Sequence, residues 1–239
     1  ARGLDALGAP RNPELRAAWQ RARDVSRALA AWDRFDHAGA LEILGNYEGV
    51  VAQALPAHFI ALRSLADPAK QAHTPLRLWD LWLNAQRRAA DGRYDDAVAR
   101  IYRLIEWTAQ WQLASKLGWQ TADLPREVAE AAGIVPNRDG KYQAGLYAAW
   151  QLAAEHCGGE LAGFFARERQ ALLDHLRRRN DSILAHGTVP VSAPDWQAWA
   201  AWLNAEFEPL LRALLAEARI HAPFPQLPDV YPWAAELAA

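Results

Sequence analysis

Apolar residues recur along this chain at three- and four-residue steps almost from end to end, the spacing that gathers side chains on one face of an α-helix. In DDAVARIYRLIEWTAQWQLASKLG, Val98, Ile101, Tyr102, Ile105, Ala109 and Leu113 make one stripe, while Asp96, Arg100, Arg103 and Gln110 take the other side. Gly118 stands where a helix C-cap belongs. Near the start, Asn12, Pro13 and Glu14 supply an N-cap with Pro at the first helical position, and Leu15, Trp19, Ala22 and Leu29 continue a second stripe. The same pattern predicts helices over about 37–53, 56–66, 75–91, 142–157, 160–178 and 195–218, the last kinked or broken at Pro209.

Strand signals are missing. The short TVPV at 188–191 follows a Gly and carries Pro, which marks a connector. Residues of about 119–141 read as a long loop holding one short helix near 125–132. From His221 onward, HAPFPQLPDVYPW is Pro-rich and is expected to run extended over the surface. The expected fold is all-α: a helical bundle with additional helices and no sizeable sheet. Residues 1–35 read as an N-terminal helix and linker, 36–220 as the helical domain and 221–239 as the tail.

One echo runs through this pattern. Arg34–Ala40 and Arg93–Ala99 share R-[FY]-D-x-A-x-A, which resembles a tetratricopeptide helix start. The two copies lie 59 positions apart, against a tetratricopeptide period of roughly 34. They read as two similar helix entries rather than as a repeat array.

Composition narrows the class. Hydrophobic residues make up 51% of the 239 and charged residues 23%, enough to bury a substantial core. A net charge of -2 gives no global attraction to nucleic acid, so phosphate affinity requires a local cluster. The single Cys157 excludes an intrachain disulfide framework and agrees with a reducing cytoplasm, the expected location. No run of about 18 apolar residues occurs, and no signal-peptide pattern, so no membrane partner is expected. The chain has no Met and opens ARGLDALGAP, which reads as a domain cut from a larger protein.

The densest basic cluster lies in HLRRRNDSILAHG, residues 175–187. Arg179 and His186 stand seven positions apart, close to two helical turns, with about 10.5 Å of rise between them if the segment stays helical. They can converge on one phosphate if the helix bends, or if two copies of the chain meet about a two-fold axis. A neutral His can take the proton of a ribose 2′-hydroxyl, and a guanidinium can hold a phosphate and stabilise its growing charge. Asn180 can orient either group through its amide. Spacing alone also fits a plainer reading, in which basic residues complement a helix dipole and the His before Gly belongs to a C-cap.

Arg179-Asn180 followed by His186-Gly187 resembles the R-x(4–6)-H signature of the HEPN ribonuclease superfamily. The stretch LWLNAQRRAADGRYDDAVARIYRLIEWTAQWQL at 81–113, followed by LRRRNDSILAHG at 176–187, is similar to the effector half of CRISPR-associated CARF-HEPN ribonucleases. The resemblance covers roughly residues 30–220. It implies a prokaryotic antiviral effector of type III CRISPR systems that cuts single-stranded RNA as a homodimer, without metal or other cofactor. In such proteins cyclic oligoadenylate binds the CARF sensor and switches on the HEPN pair. The resemblance places catalysis on Arg179, Asn180 and His186. Arg177 and Arg178 would guide the RNA backbone, joined by His175 one turn earlier. No alternating β and α pattern occurs, so the CARF half is missing from the sequence, and the activator is expected only where a CARF domain is present.

Other signals are weaker. Trp79 and Trp82, Trp107 and Trp111, and Trp196, Trp199 and Trp202 fall at helical steps, as base-stacking platforms or core packing would both require. The remaining histidines, His37, His58, His73, His156 and His221, form no HxxxH, HExxH or Cys/His set, so no metal site is expected. No GxSxG, Walker or dinucleotide-binding glycine pattern occurs. The resemblance to HEPN ribonucleases implies a metal-independent endoribonuclease. Its rivals are a non-catalytic helical interaction module, with Trp-rich faces docking a partner, and a free-standing HEPN toxin held by an antitoxin.

Overall fold

The computed structural model describes residues 8–69, 74–180, 189–221 and 223–233, with the backbone alone at 177–180. Among the described residues there are eleven α-helices, one π turn and no strand; an isolated bridge pairs Gln120 with Asp123. The all-α expectation holds. No helix among the described residues is long and apolar enough to cross a membrane.

Contacts along the chain define two compact units. The described residues of the first are 8–69 and 223–233, and those of the second are 74–221 apart from 181–188. This boundary near residue 71 differs from the division at 35/36 drawn from the sequence, because helix α1 (Pro13–Trp32) finds its partner in α2 (His37–Gly45), inside the same unit. The α1 N-cap is as expected: Asn12 Oδ1 accepts from the Glu14 and Leu15 amides at 2.9 and 3.3 Å. Its buried stripe is Ala18, Ala22, Val25, Ala28 and Ala31, with Leu15, Trp19 and Leu29 half-buried at the margin. Small residues on that face let a neighbouring helix approach closely.

The single helix expected over 37–53 is two, α2 and α3 (Glu48–Ala54). Asn46 causes the break, since its side-chain amide reaches back to the Glu42 and Ile43 carbonyls at 3.3 Å and ends α2. Helix α4 (Pro56–Leu65) follows. At the centre of this unit Trp32 is wholly buried, its ring 5.4 Å from Phe224, 6.1 Å from His58 and 6.3 Å from His37. The tail is irregular, as its prolines require, yet it does not simply cross the surface. Phe224 is buried, and the His58 ring Nε2 lies 2.9 Å from the Gln226 carbonyl.

The second unit is built on a helical hairpin, α5 (Pro75–Ala90) and α6 (Tyr94–Leu117), whose contact is the most extensive in the chain. Gly118 ends α6 in the left-handed region at φ 71°, where its amide bonds the Ala114 carbonyl and the Trp119 amide bonds that of Leu113. The long loop that follows holds α7 (Arg126–Ala131), and its ends are tied by the Leu124 amide on the Tyr142 carbonyl and the Ala144 amide on that of Thr121. Helices α8 (Leu146–Cys157) and α9 (Gly159–Asn180) complete the layer, α8 on α6 and α9 on α8.

The last expected helix takes three parts. Helix α10 (Ala193–Trp202) runs into a π turn (Leu203–Phe207) and on into α11 (Glu208–Glu217), with right-handed helical backbone at each junction. Pro209 neither breaks nor ends it. It sits in the first turn of α11, and the wider π turn ahead of it absorbs the lost hydrogen bond and the ring's bulk. The core gathers around wholly buried Trp150, with Phe164, Phe165 and Phe207 against its ring and its Nε1–H donating to the Ile105 carbonyl at 3.0 Å.

Candidate active site

Arg177, Arg178, Arg179 and Asn180 form the last turn of α9. Their side chains, and the whole of His186, lie outside the described residues. What is described is how the two ends of the intervening segment are held. Before it, the His175 ring stacks on Trp199 of α10, with centroids 5.5 Å apart and planes 11° apart, and lies 4.6 Å from Trp202. Trp202 Nε1–H donates to Glu168 of α9 at 2.9 Å. The end of α9 is thus fastened to the C-terminal half of α10. The His175 ring is half-buried in this stack.

After the segment, Pro190 removes a backbone donor, and the next amide, that of Val191, is received by Asp95 at 3.1 Å to Oδ1 and 3.3 Å to Oδ2. Ser192 then caps α10 in a reciprocal box with Asp195. Asp95 lies in the first turn of α6, where a carboxylate is favoured by the helix dipole.

The two R-[FY]-D echoes serve different ends. Phe35 takes a left-handed backbone at φ 63° and Asp36 is an N-cap, accepting from the Gly39 amide at 2.9 Å. In the second copy Tyr94 is already helical, Arg93 is the cap residue but makes no side-chain capping bond, and Asp95 reaches across to residue 191.

A model of the Csm6 HEPN domain family matches residues 66–206. The chain belongs to that family. No curated protein and no solved structure matches it. The matched span runs from the end of the first unit into the π turn and takes in both arms of the α5–α6 hairpin and the whole of the RN…H element.

Inside this HEPN domain a polar seam runs between α5 and α6. Asp80 and Asn84 are buried on α5, and Arg87 and Arg88 follow them one turn on. From α6, Arg100 Nε donates to Asn84 Oδ1 and its terminal nitrogen to the Asp96 carbonyl at 2.9 Å; Asp96 also pairs with Arg93. Arg87 stands 3.9 Å from Asp80. Burial pushes the Arg87 guanidinium below the usual arginine range while Asp80 opposes it, and burial likewise lowers Arg100, with Asp96 opposing and Arg88 adding to the shift. The seam fixes the start of α6: Asp96 faces the guanidinium groups while Asp95, next to it, is left to meet Val191.

Sequence reasoning missed these residues. Asp95 carried a signal, the shared R-[FY]-D pattern, but local pattern cannot separate a cap from a long-range acceptor. The Trp pairs resolve towards packing: Trp79, Trp82, Trp196 and Trp199 are buried, so they present no face to bases or to a docking protein, and Trp107, Trp111 and Trp202 are half-buried. Among the described residues no group of three His, Cys, Asp or Glu is arranged to hold a metal ion.

Proposed function

We propose that this HEPN domain is an endoribonuclease that cleaves single-stranded RNA without metal, as an effector of type III CRISPR antiviral defence. His186 acts as general base or acid, Arg179 holds the scissile phosphate, and Asn180 orients them. The 2′-oxygen, relieved of its proton by His186, attacks the adjacent phosphorus; the 5′-oxygen departs and takes up a proton, leaving a 2′,3′-cyclic phosphate and a 5′-hydroxyl. Arg179 stabilises charge on the phosphoryl oxygens as the bond breaks. Arg177 and Arg178 guide the RNA backbone. The acting unit is a homodimer, and cyclic oligoadenylate is its activator where the full protein carries a CARF sensor. The observation that carries this reading is the family match over residues 66–206, which encloses Arg179-Asn180 and His186 at the spacing of the HEPN motif.

The test is cleavage of a fluorescent single-stranded RNA in EDTA at high protein concentration, with Arg179→Ala and His186→Ala variants at matched fold and oligomeric state. Cleavage that survives the chelator and falls by about a hundredfold or more in each variant is expected. Cleavage abolished by EDTA, or unchanged in both variants, overturns the assignment.

A further inference from the structure

We propose that Asp95 is a positioning residue for the ribonuclease reaction, acting by holding the backbone at Val191, five residues after His186. The inference rests on the ribonuclease reading above and adds a residue outside its motif.

Three observations carry it. The first is the bond itself: both Asp95 oxygens lie within hydrogen-bond distance of one amide, at 3.1 and 3.3 Å, across 96 positions of sequence. A charged acceptor makes this stronger than an ordinary backbone bond. The second is that helix start alone does not require it. An Asp in a first turn can serve its own helix, as Asp36 serves the sequence-equivalent turn of α2 by accepting from Gly39. Among the described residues Asp95 instead has the Val191 amide as its hydrogen-bond partner.

The third is where the bond falls. Val191 lies between Pro190, whose ring fixes its own backbone, and Ser192, which is locked in the capping box with Asp195. On the other side of the RN…H element, His175 is stacked on Trp199 and Trp202. The described chain is thus fastened at His175, four residues before Arg179, and at Val191, five residues after His186. The capping box serves α10 itself, but the Asp95 bond to Val191 is not needed to start either helix, whereas an acid–base group has to be held to a fraction of an ångström. Asp95 is itself set by the seam beside it, where Asp96 is engaged by Arg93 and Arg100.

The experiment is steady-state cleavage of the same RNA by the full chain and its Asp95→Ala, Asp95→Asn and Asp36→Ala variants, with thermal unfolding of each. Asp95→Ala is expected to lower kcat by about ten- to a hundredfold while KM stays within about twofold, because the RNA-guiding arginines are untouched. Asp95→Asn, which keeps one acceptor oxygen, should recover part of that loss. Asp36→Ala should lower Tm by a few degrees, about as much as Asp95→Ala, and leave kcat unchanged. An unchanged kcat in Asp95→Ala, or an equal fall in Asp36→Ala, overturns the positioning role while the ribonuclease reading stands. A parent chain that does not cut overturns both.

Discussion

Trp150 shows how a single side chain ties the HEPN domain together. Its ring is wholly buried among Phe164, Phe165 and Phe207, from α9 and the π turn, and its Nε1–H donates to the Ile105 carbonyl on α6 at 3.0 Å. One residue of α8 therefore bridges three other elements, and truncating it removes both apolar area and a satisfied buried donor. Trp150→Ala is expected to cost about 3–5 kcal/mol, read as a lowered midpoint in urea unfolding followed by far-ultraviolet circular dichroism. Trp150→Phe keeps most of the ring and should cost clearly less. At this scale the sequence was partly legible. Helical spacing of the Trp residues fitted core packing and base stacking alike, and it is the burial of Trp79, Trp82, Trp196 and Trp199 that decides for the core. The Asp95 bond to Val191 was not legible, since its partner lies 96 residues away and Asp36 shows the same local pattern used differently.

Among elements, those with strong local signals are where periodicity placed them. Asn12 caps α1, Gly118 ends α6, and α4, α5 and α7 fall within a residue of expectation. The departures have local causes that a hydrophobic pattern does not carry. Asn46 divides one predicted helix by turning its amide on the preceding carbonyls. Pro209, read as a breaker, is accommodated because the π turn ahead of it widens the helix. Gly118 offers the cleanest test of an element boundary. With φ at 71° and two carbonyls of α6 bonded by residues 118 and 119, a side chain there must adopt the left-handed conformation. Gly118→Ala is expected to cost about 1 kcal/mol, lowering Tm by about 2–4 °C in a thermal melt; no shift would mean the cap does not bear on stability.

For the whole molecule, the family and the all-α class were legible because both are written in long-range pattern: helical periodicity throughout, and an RN…HG element far downstream of a characteristic helix. The grouping of residues 8–69 with the Pro-rich tail was not, since Phe224 against Trp32 joins positions nearly two hundred residues apart and no spacing rule reaches that far. The motif has a consequence for assembly. Arg179 and His186 stand seven positions apart, and two copies meeting about a two-fold axis would bring both groups onto one phosphate. On this reading a lone chain holds half the charge stabilisation, so activity per chain should fall on dilution below the dimer dissociation constant. RNA affinity should weaken with salt by about 0.7 log units per log unit for each phosphate engaged. Cleavage rates measured across a hundredfold range of protein concentration, beside sedimentation of the same samples, separate the cases. A rate rising faster than concentration and tracking the dimer fraction supports a shared site. A rate proportional to concentration in a sample sedimenting as monomer would place both groups of the working site in one chain.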